Sequence, residues 1–234
     1  MRALILDTET TGLDPAAGAR CIEVGCILYD LGRACPVVSY SSLIAGLPTN
    51  EAQAVNGIPP DILSEAPLAP NVWAKVASLV RLADVVLAHR AEFDAKFVPP
   101  EVRVLRPFVC TKFHVAWPRG RYGEHLVQLA LEHGLGVASA HRALTDCDTI
   151  SRLLTRVAEL HPLPALIQHA MRPRVKVLAL TKYEEREATK AAGFTWAPEV
   201  KEWTRECFED EVAAIPFATR VVGPVAPIGG PVRA

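Results

Sequence analysis

Apolar residues fall along the first two-thirds of this chain in short blocks of two different periods, and the periods assign the elements. Ala3–Asp7, Cys21–Tyr29 and Val37–Ile44 have strand character, with connections short enough for antiparallel pairing. Asn71–Ala83 sets Val72, Val76, Leu79, Val80 and Ala83 on one helical face. Val85–Ala88 is wholly apolar, as in a strand buried on both faces. Ala91–Val98 predicts a helix stopped by Pro99 and Pro100, and Phe108–Cys110 predicts a fifth strand. Leu126–His133 and Ala143–Leu160 predict helices, the second with Ile150, Leu153, Leu154 and Val157 facing inward. Three antiparallel strands followed by strands separated by helices predict an α/β domain, with a mixed five-stranded sheet covered by helices.

The pattern breaks where Pro162, Pro164 and Pro173 interrupt the chain, so the first domain is expected over 1–165 and a linker over 166–174. A small α+β unit is expected over 175–215. It comprises a strand (Val175–Leu180), a helix (Tyr183–Ala192) ended by Gly193, and strand-like Thr195–Trp196 and Lys201–Thr204 around a turn at Pro198. The closing run GPVAPIGGPVRA is rich in Gly and Pro, which predicts a flexible tail over 216–234.

Charge changes the picture by what it excludes. With 25 basic and 26 acidic residues the net charge is −1, so no global basic surface coats nucleic acid; divalent cations remain a local source of positive charge. Six cysteines contain no CxxC pair and no zinc spacing, and with no secretory segment at the start they are expected to be reduced thiols of a soluble cytoplasmic protein. No apolar stretch approaches the ~18 residues of a membrane span.

The chemistry-bearing residues sit at the ends of the apolar blocks. In LDTETTGLD, Asp7 and Glu9 are two residues apart on a strand and share one face. Like charges that close repel unless a cation or proton intervenes; alternatively the strand simply ends in a polar turn, with Gly12 supplying an unusual backbone angle. Asp94 follows Val85–Ala88 in HRAEFD, and His141 and Asp146 stand five apart in HRALTD. On one continuous helix those two would lie ~140° apart, so they share a cleft only if His141 precedes the helix. Taken singly, Asp94 also fits a solvated helix residue, Asp146 an acid near a helix N-terminus, and His141 a loop histidine.

In order and spacing, DTETTG (7–12), HRAEFD (89–94) and HRALTD (141–146) resemble the three exonuclease motifs of the DEDDh family of 3′→5′ exonucleases. IEVG (22–25), VNGIPPDIL (55–63) and Cys110–Thr111 look like the family's intervening landmarks, and the resemblance covers roughly 1–160. It implies a ribonuclease H-like fold and hydrolysis of phosphodiester bonds at a 3′ end, releasing nucleoside 5′-monophosphates with two divalent cations. Hard oxygen ligands favour Mg²⁺ or Mn²⁺. By the resemblance Asp7 would bridge both ions, Glu9 and Asp146 would help hold one, Asp94 would serve the other, and His141 would be the general base. Thr10, Thr11, Gly12 and Leu13 would meet the terminal nucleotide; Gly12 alternatively serves only the turn, and Leu13 only the core. Arg90 and Asn56 depart from the family pattern and are weaker substrate-contact candidates, and Asp148 reads as a surface acid.

The expected substrate is a single-stranded or frayed 3′ end, DNA before RNA. An RNA-trimming enzyme of the same chemistry and a polymerase-associated subunit are the alternatives, and nothing in the sequence marks a dimer surface. The preference for DNA comes from the second unit. Lys190, Gly193, Trp196, Pro198, Lys201 and Trp203 resemble a small accessory module of DNA-processing and mobile-element proteins. Trp196 and Trp203 fit either base stacking or a small core.

Overall fold

The computed structural model describes residues 1–46, 49–121 and 123–230, and the chain divides into two compact units, Met1–Ala170 together with the segment from Ile228, and Met171–Pro227.

The first unit opens with β1 (Arg2–Thr10), β2 (Cys21–Asp30) and β3 (Cys35–Leu43), paired antiparallel in sequence as their short connections require. After α1 (Gln53–Asn56) and α2 (Ala69–Leu82), β4 (Val85–Ala88) lies parallel to β1. Next come α3 (Ala91–Phe97), α4 (Pro100–Arg103) and β5 (Pro107–Cys110), the last parallel to β4. The remaining helices are α5 (Leu126–Glu132), α6 (Ala143–Ala158) and α7 (Leu163–Ala170).

The sheet sits between two helical layers because β1 is apolar on both faces. Leu4 and Leu6 point to the side of α2 and α3, among Val72, Val76, Ala91 and Ala95. Ala3 and Ile5 point to the side of α6 and α7, among Ile150, Leu153, Leu154 and Ile167. All four are fully buried, and each side chain of leucine size so placed is worth ~1.5–3 kcal/mol. This alternation decides which way the acids beyond Leu6 point.

Two expectations about the chain's organisation are corrected. Residues 166–170 are no linker: they belong to α7, which buries Leu163, Ile167 and Ala170. Pro164 falls in the first turn of that helix, where a missing N–H costs nothing. Residues 216–234 are no loose tail over the part the structure describes; 231–234 lie outside the described residues. In the second unit β6 (Arg174–Ala179) leads through α8 (Arg186–Ala191) to β7 (Thr195–Ala197) and β8 (Glu202–Phe208). Then β9 (Thr219–Pro224) forms the edge of a four-stranded sheet in the order β7-β8-β6-β9. The chain next returns to the first unit, where β10 (Ile228–Gly229) pairs with β5 and makes the expected five-stranded sheet six-stranded, β10-β5-β4-β1-β2-β3. Gly229 and Gly230 permit the return: both have positive φ, and a Cβ on Gly229 would lie 2.7 Å from Phe108.

The core of the second unit is Val175, Val177, Phe194 and Cys207, with Trp203 packed against it. Trp196 stacks edge-on to Trp203 with ring centroids 5.5 Å apart and stays 45% exposed, so only Trp203 joins that core. Among the described residues no helix is long and apolar enough to cross a membrane.

Ending the chain at Ile215 would strip an edge strand from each sheet. Such a truncation is expected to lower the thermal midpoint by roughly 5–10 °C, read by tryptophan fluorescence; a flexible tail would leave it unchanged.

Candidate active site

Strand parity carries the geometry of the site. Asp7 and Glu9 continue the face of Ala3 and Ile5, toward α6, and Thr8 continues the face of Leu4 and Leu6, toward α3. The N-terminal turn of α6 brings Asp146 to the first face. Ligand oxygens of Asp7, Glu9 and Asp146 lie within 4.8 Å of one another, a grouping able to hold a metal ion. Asp94, on α3, is 2% exposed and stands outside that trio. Its Oδ1 accepts from the Thr8 N–H at 3.0 Å and from Thr8 Oγ1 at 2.8 Å. Two hydrogen bonds to one carboxylate oxygen are each worth ~1.5–3 kcal/mol and fix the side chain at the end of β1. Thr8 is a positioning residue that the motif reading missed, because it looked only at the face carrying the acids.

α6 reaches the strand closely because β2 has no side chain in the way. Gly25 pairs with Asp7, and a Cβ there would lie 2.4 Å from the backbone carbon of Ala143. His141 precedes the helix, as sharing a cleft with Asp146 requires. Its φ is 63°, its backbone N–H reaches Asp146 Oδ2 at 3.4 Å, and it is exposed. Asp148 is exposed, as expected of a surface acid.

The turn after β1 is held tightly. Thr10 Oγ1 donates to the Gly12 carbonyl at 2.7 Å, and Thr11 Oγ1 accepts from the Arg20 N–H at 2.9 Å. Gly12 does not have the unusual backbone angle expected of it; its constraint is closeness, since a Cβ would meet that of Ala19 at 3.3 Å. Leu13 is 77% exposed, which removes it from the core. Asn56 is buried and its amide is engaged by protein: Nδ2 donates to the Thr10 carbonyl at 3.1 Å, and Oδ1 accepts from Asn50 and from the Ile58 N–H. It supports the end of β1 from beneath and is not a surface contact. Arg90 is exposed in the left-handed region at the start of α3, with its guanidinium 5.8 Å from the Phe93 ring centroid. The sequence reading also passed over His89, whose ring bonds Thr111 Oγ1 and the Glu124 carbonyl. Burial pushes that imidazole down to about 4, so it is a neutral tie between loops.

Burial raises every acid of the group, and repulsion from the others adds to the rise at Asp7 and Glu9. Asp7 is driven well above the carboxylate range, first by desolvation and then by the charges of Asp94, Asp146 and Glu9. Glu9 is pushed up to about 8 by burial and then by Asp146. Asp94 is pushed up to about 7 by burial, against the opposing Thr8 hydrogen bonds, and burial raises Asp146 as well. A cluster that resists its own ionisation is stabilised by protons or cations.

The unfolded chain would titrate Glu9 and Asp94 near 4.5 and 3.8, against about 8 and about 7 when folded. Between those limits the folded protein holds more protons than the unfolded chain. This contribution to stability is full below pH ~4 and disappears as pH rises through 7 to 8. The urea midpoint of metal-free protein is therefore expected to fall from pH 5.5 to 8.5. Glu9→Gln combined with Asp94→Asn should flatten that slope, and Mn²⁺ binding at pH 6.5 should release protons, seen by calorimetry in buffers of different ionisation enthalpy.

Comparison with known proteins agrees with this geometry. The family model described as Exonuclease matches residues 4–154, and one described as a domain of unknown function matches 176–222. The chain is 31% identical over 186 residues to DNA polymerase III subunit epsilon of Treponema pallidum, covering 74% of this chain and 84% of that protein. It is 32% identical over 108 residues to the same subunit of Rickettsia typhi, where it spans 46% of the relative's length. Among solved structures, Exonuclease X in complex with 5′ overhanging duplex DNA has a TM-score of 0.54 at 23% identity, covering 72% of this chain and 99% of that one. The nuclease domain of 3′hExo, a DEDDh family member bound to rAMP, has a TM-score of 0.57 at 16% identity, covering 69% and 93%. At those identities the structures establish the ribonuclease H-like fold, and the family follows from the sequence matches: the chain belongs to the exonuclease family and is a metal-dependent 3′→5′ exonuclease.

Proposed function

We propose that this enzyme removes nucleotides from single-stranded or frayed 3′ ends of DNA, holding two Mg²⁺ or Mn²⁺ ions on Asp7, Glu9, Asp94 and Asp146. The observation that carries the proposal is the convergence of Asp7, Glu9 and Asp146 oxygens within 4.8 Å. The donors suit the ions: carboxylates alone make a hard oxygen site that favours Mg²⁺ or Mn²⁺ over zinc. Divalent ions bound there supply positive charge for the attacking and leaving oxygens of an in-line displacement. Asp7, Glu9 and Asp146 would hold one ion, and Asp7 with Asp94 would hold a second. His141 takes the proton of the attacking water, as an imidazole placed beside the acids can do.

The protein also orients the substrate. The turn of Thr10, Thr11 and Gly12, braced from below by Asn56, meets the terminal nucleotide. Leu13 offers an apolar surface to its base, and Arg90 stands ready for a phosphate on the α3 side. We place its action in the cytoplasm, a compartment that keeps six unpaired cysteines as thiols. Preference for DNA is supported by relatives named as DNA polymerase subunits, a name that also supports association with a polymerase. The structural neighbour described as a 3′-exonuclease recognising a histone mRNA stem-loop supports the second reading, an RNA-trimming enzyme.

Asp7→Asn and Asp146→Asn are each expected to slow release of mononucleotides from a 5′-labelled oligonucleotide by about a thousandfold. Losing a ligand to a catalytic ion is worth several kcal/mol of transition-state stabilisation, at ~1.4 kcal/mol per factor of ten. Undiminished degradation by either variant would remove those acids from the reaction. Time courses on DNA and RNA of one sequence, with blocked 3′ ends as the polarity control, should show faster loss of DNA; the reverse order assigns RNA.

A further inference from the structure

Glu23 stands directly opposite Glu9 in the β1–β2 pairing, yet it is not part of the acidic trio. It is 3% exposed, and its oxygens are occupied. Oε1 accepts from Arg142 Nη2 at 2.8 Å, and Oε2 accepts from Arg142 Nε at 3.1 Å and from the Ala143 N–H at 3.1 Å. A buried carboxylate on the sheet thus grips the residue after His141 and the first residue of α6. We propose that Glu23 and Arg142 form a positioning pair for the nuclease reaction, setting the His141 turn and the N-terminus of α6 against β1.

Three observations carry this. α6 has no side-chain cap of its own, since Arg142 occupies the N-cap position without making that bond. Glu23 supplies the missing acceptor from another strand, and a carboxylate suits the positive end of a sixteen-residue helix. Second, among the described residues the His141 backbone N–H makes only the long hydrogen bond to Asp146, so the firm anchor of this left-handed turn is the adjacent fork on Arg142. Third, a buried carboxylate beside Glu9 adds charge where repulsion is already high, and the bidentate guanidinium offsets it. Arg142 is half-exposed, and an exposed pair would be worth little; with Glu23 buried, its loss strands a carboxylate in the interior. Lysine cannot reproduce the fork, because it offers a point charge and not two parallel donors.

The pair acts through the His141 turn, leaving the metal-binding acids in place, and rests on the exonuclease reading, so the test separates the two. Wild type, Asp7→Asn, Arg142→Lys, Glu23→Gln, His141→Ala and the double variant Arg142→Lys/His141→Ala are assayed on one 5′-labelled DNA oligonucleotide. Enzyme is in excess, so that slow rates are readable, and thermal midpoints and Mn²⁺ stoichiometry are measured alongside. Arg142→Lys is expected to fold, to bind Mn²⁺ with unchanged stoichiometry, and to lose about 10- to 100-fold in kcat with KM within about threefold, the size of effect a misplacement near 1 Å produces. In the His141→Ala background the same change should cost less than threefold, because the two residues act as one unit. Wild-type kcat in Arg142→Lys, or an undiminished loss in the His141→Ala background, would overturn the positioning role while leaving the nuclease reading intact. Wild-type activity that survives Asp7→Asn would overturn the nuclease reading, and the positioning role with it. Should Arg142→Lys misfold, Glu23→Gln carries the same comparison.

Discussion

Four carboxyl groups crowd the C-terminal end of β1, and each makes ionisation of the others harder. Asp7 is affected most, since it is desolvated and faces Asp94, Asp146 and Glu9 together. Without cations this crowding opposes folding at neutral pH, so the surrounding structure has to hold the acids where they would not stay by themselves. It does so from a strand buried in the middle of a sheet, apolar on both faces from Ala3 to Leu6. Rigidity at that strand is what makes an electrostatically unfavourable cluster reproducible, and preorganised charge is the part of catalysis a scaffold supplies best.

The two faces of β1 divide the work. Odd positions look toward α6 and gather Asp7, Glu9 and Asp146; Thr8, an even position, looks toward α3 and takes hold of Asp94. The fourth acid is therefore held from behind the strand, by a threonine that bears no charge. Close packing does the rest, because Gly25 lets the backbone of Ala143 approach β2 where any side chain would hold it off.

Much of this was legible in the residues. The acids and the histidine lie in three motifs, and strand alternation alone puts Asp7 and Glu9 on one face. Local pattern could not reveal partners distant in sequence: Thr8 to Asp94, Asn56 to Thr10, and Glu23 to Arg142 are joined only by the fold. Asn56 read as a substrate-contact candidate and is a buried brace. Gly12 invited a backbone argument, and the structure replaces it with a contact to Ala19. The C-terminal residues misled for a plain reason: Gly and Pro at that density resemble disorder, yet two glycines with positive φ are what a short edge strand needs to turn back onto β5.

That return has a consequence for how the molecule is made. The sixth strand of the nuclease sheet is encoded after the whole second unit, so a nascent chain emerging from the ribosome cannot complete its catalytic sheet until that unit has been made. At ordinary translation rates the outer edge of β5 waits on the order of ten seconds for its neighbour. During that interval its backbone N–H and C=O groups are open to any passing strand. Vectorial synthesis thus gives this protein a vulnerable period that a nuclease domain closed within its own sequence would not have.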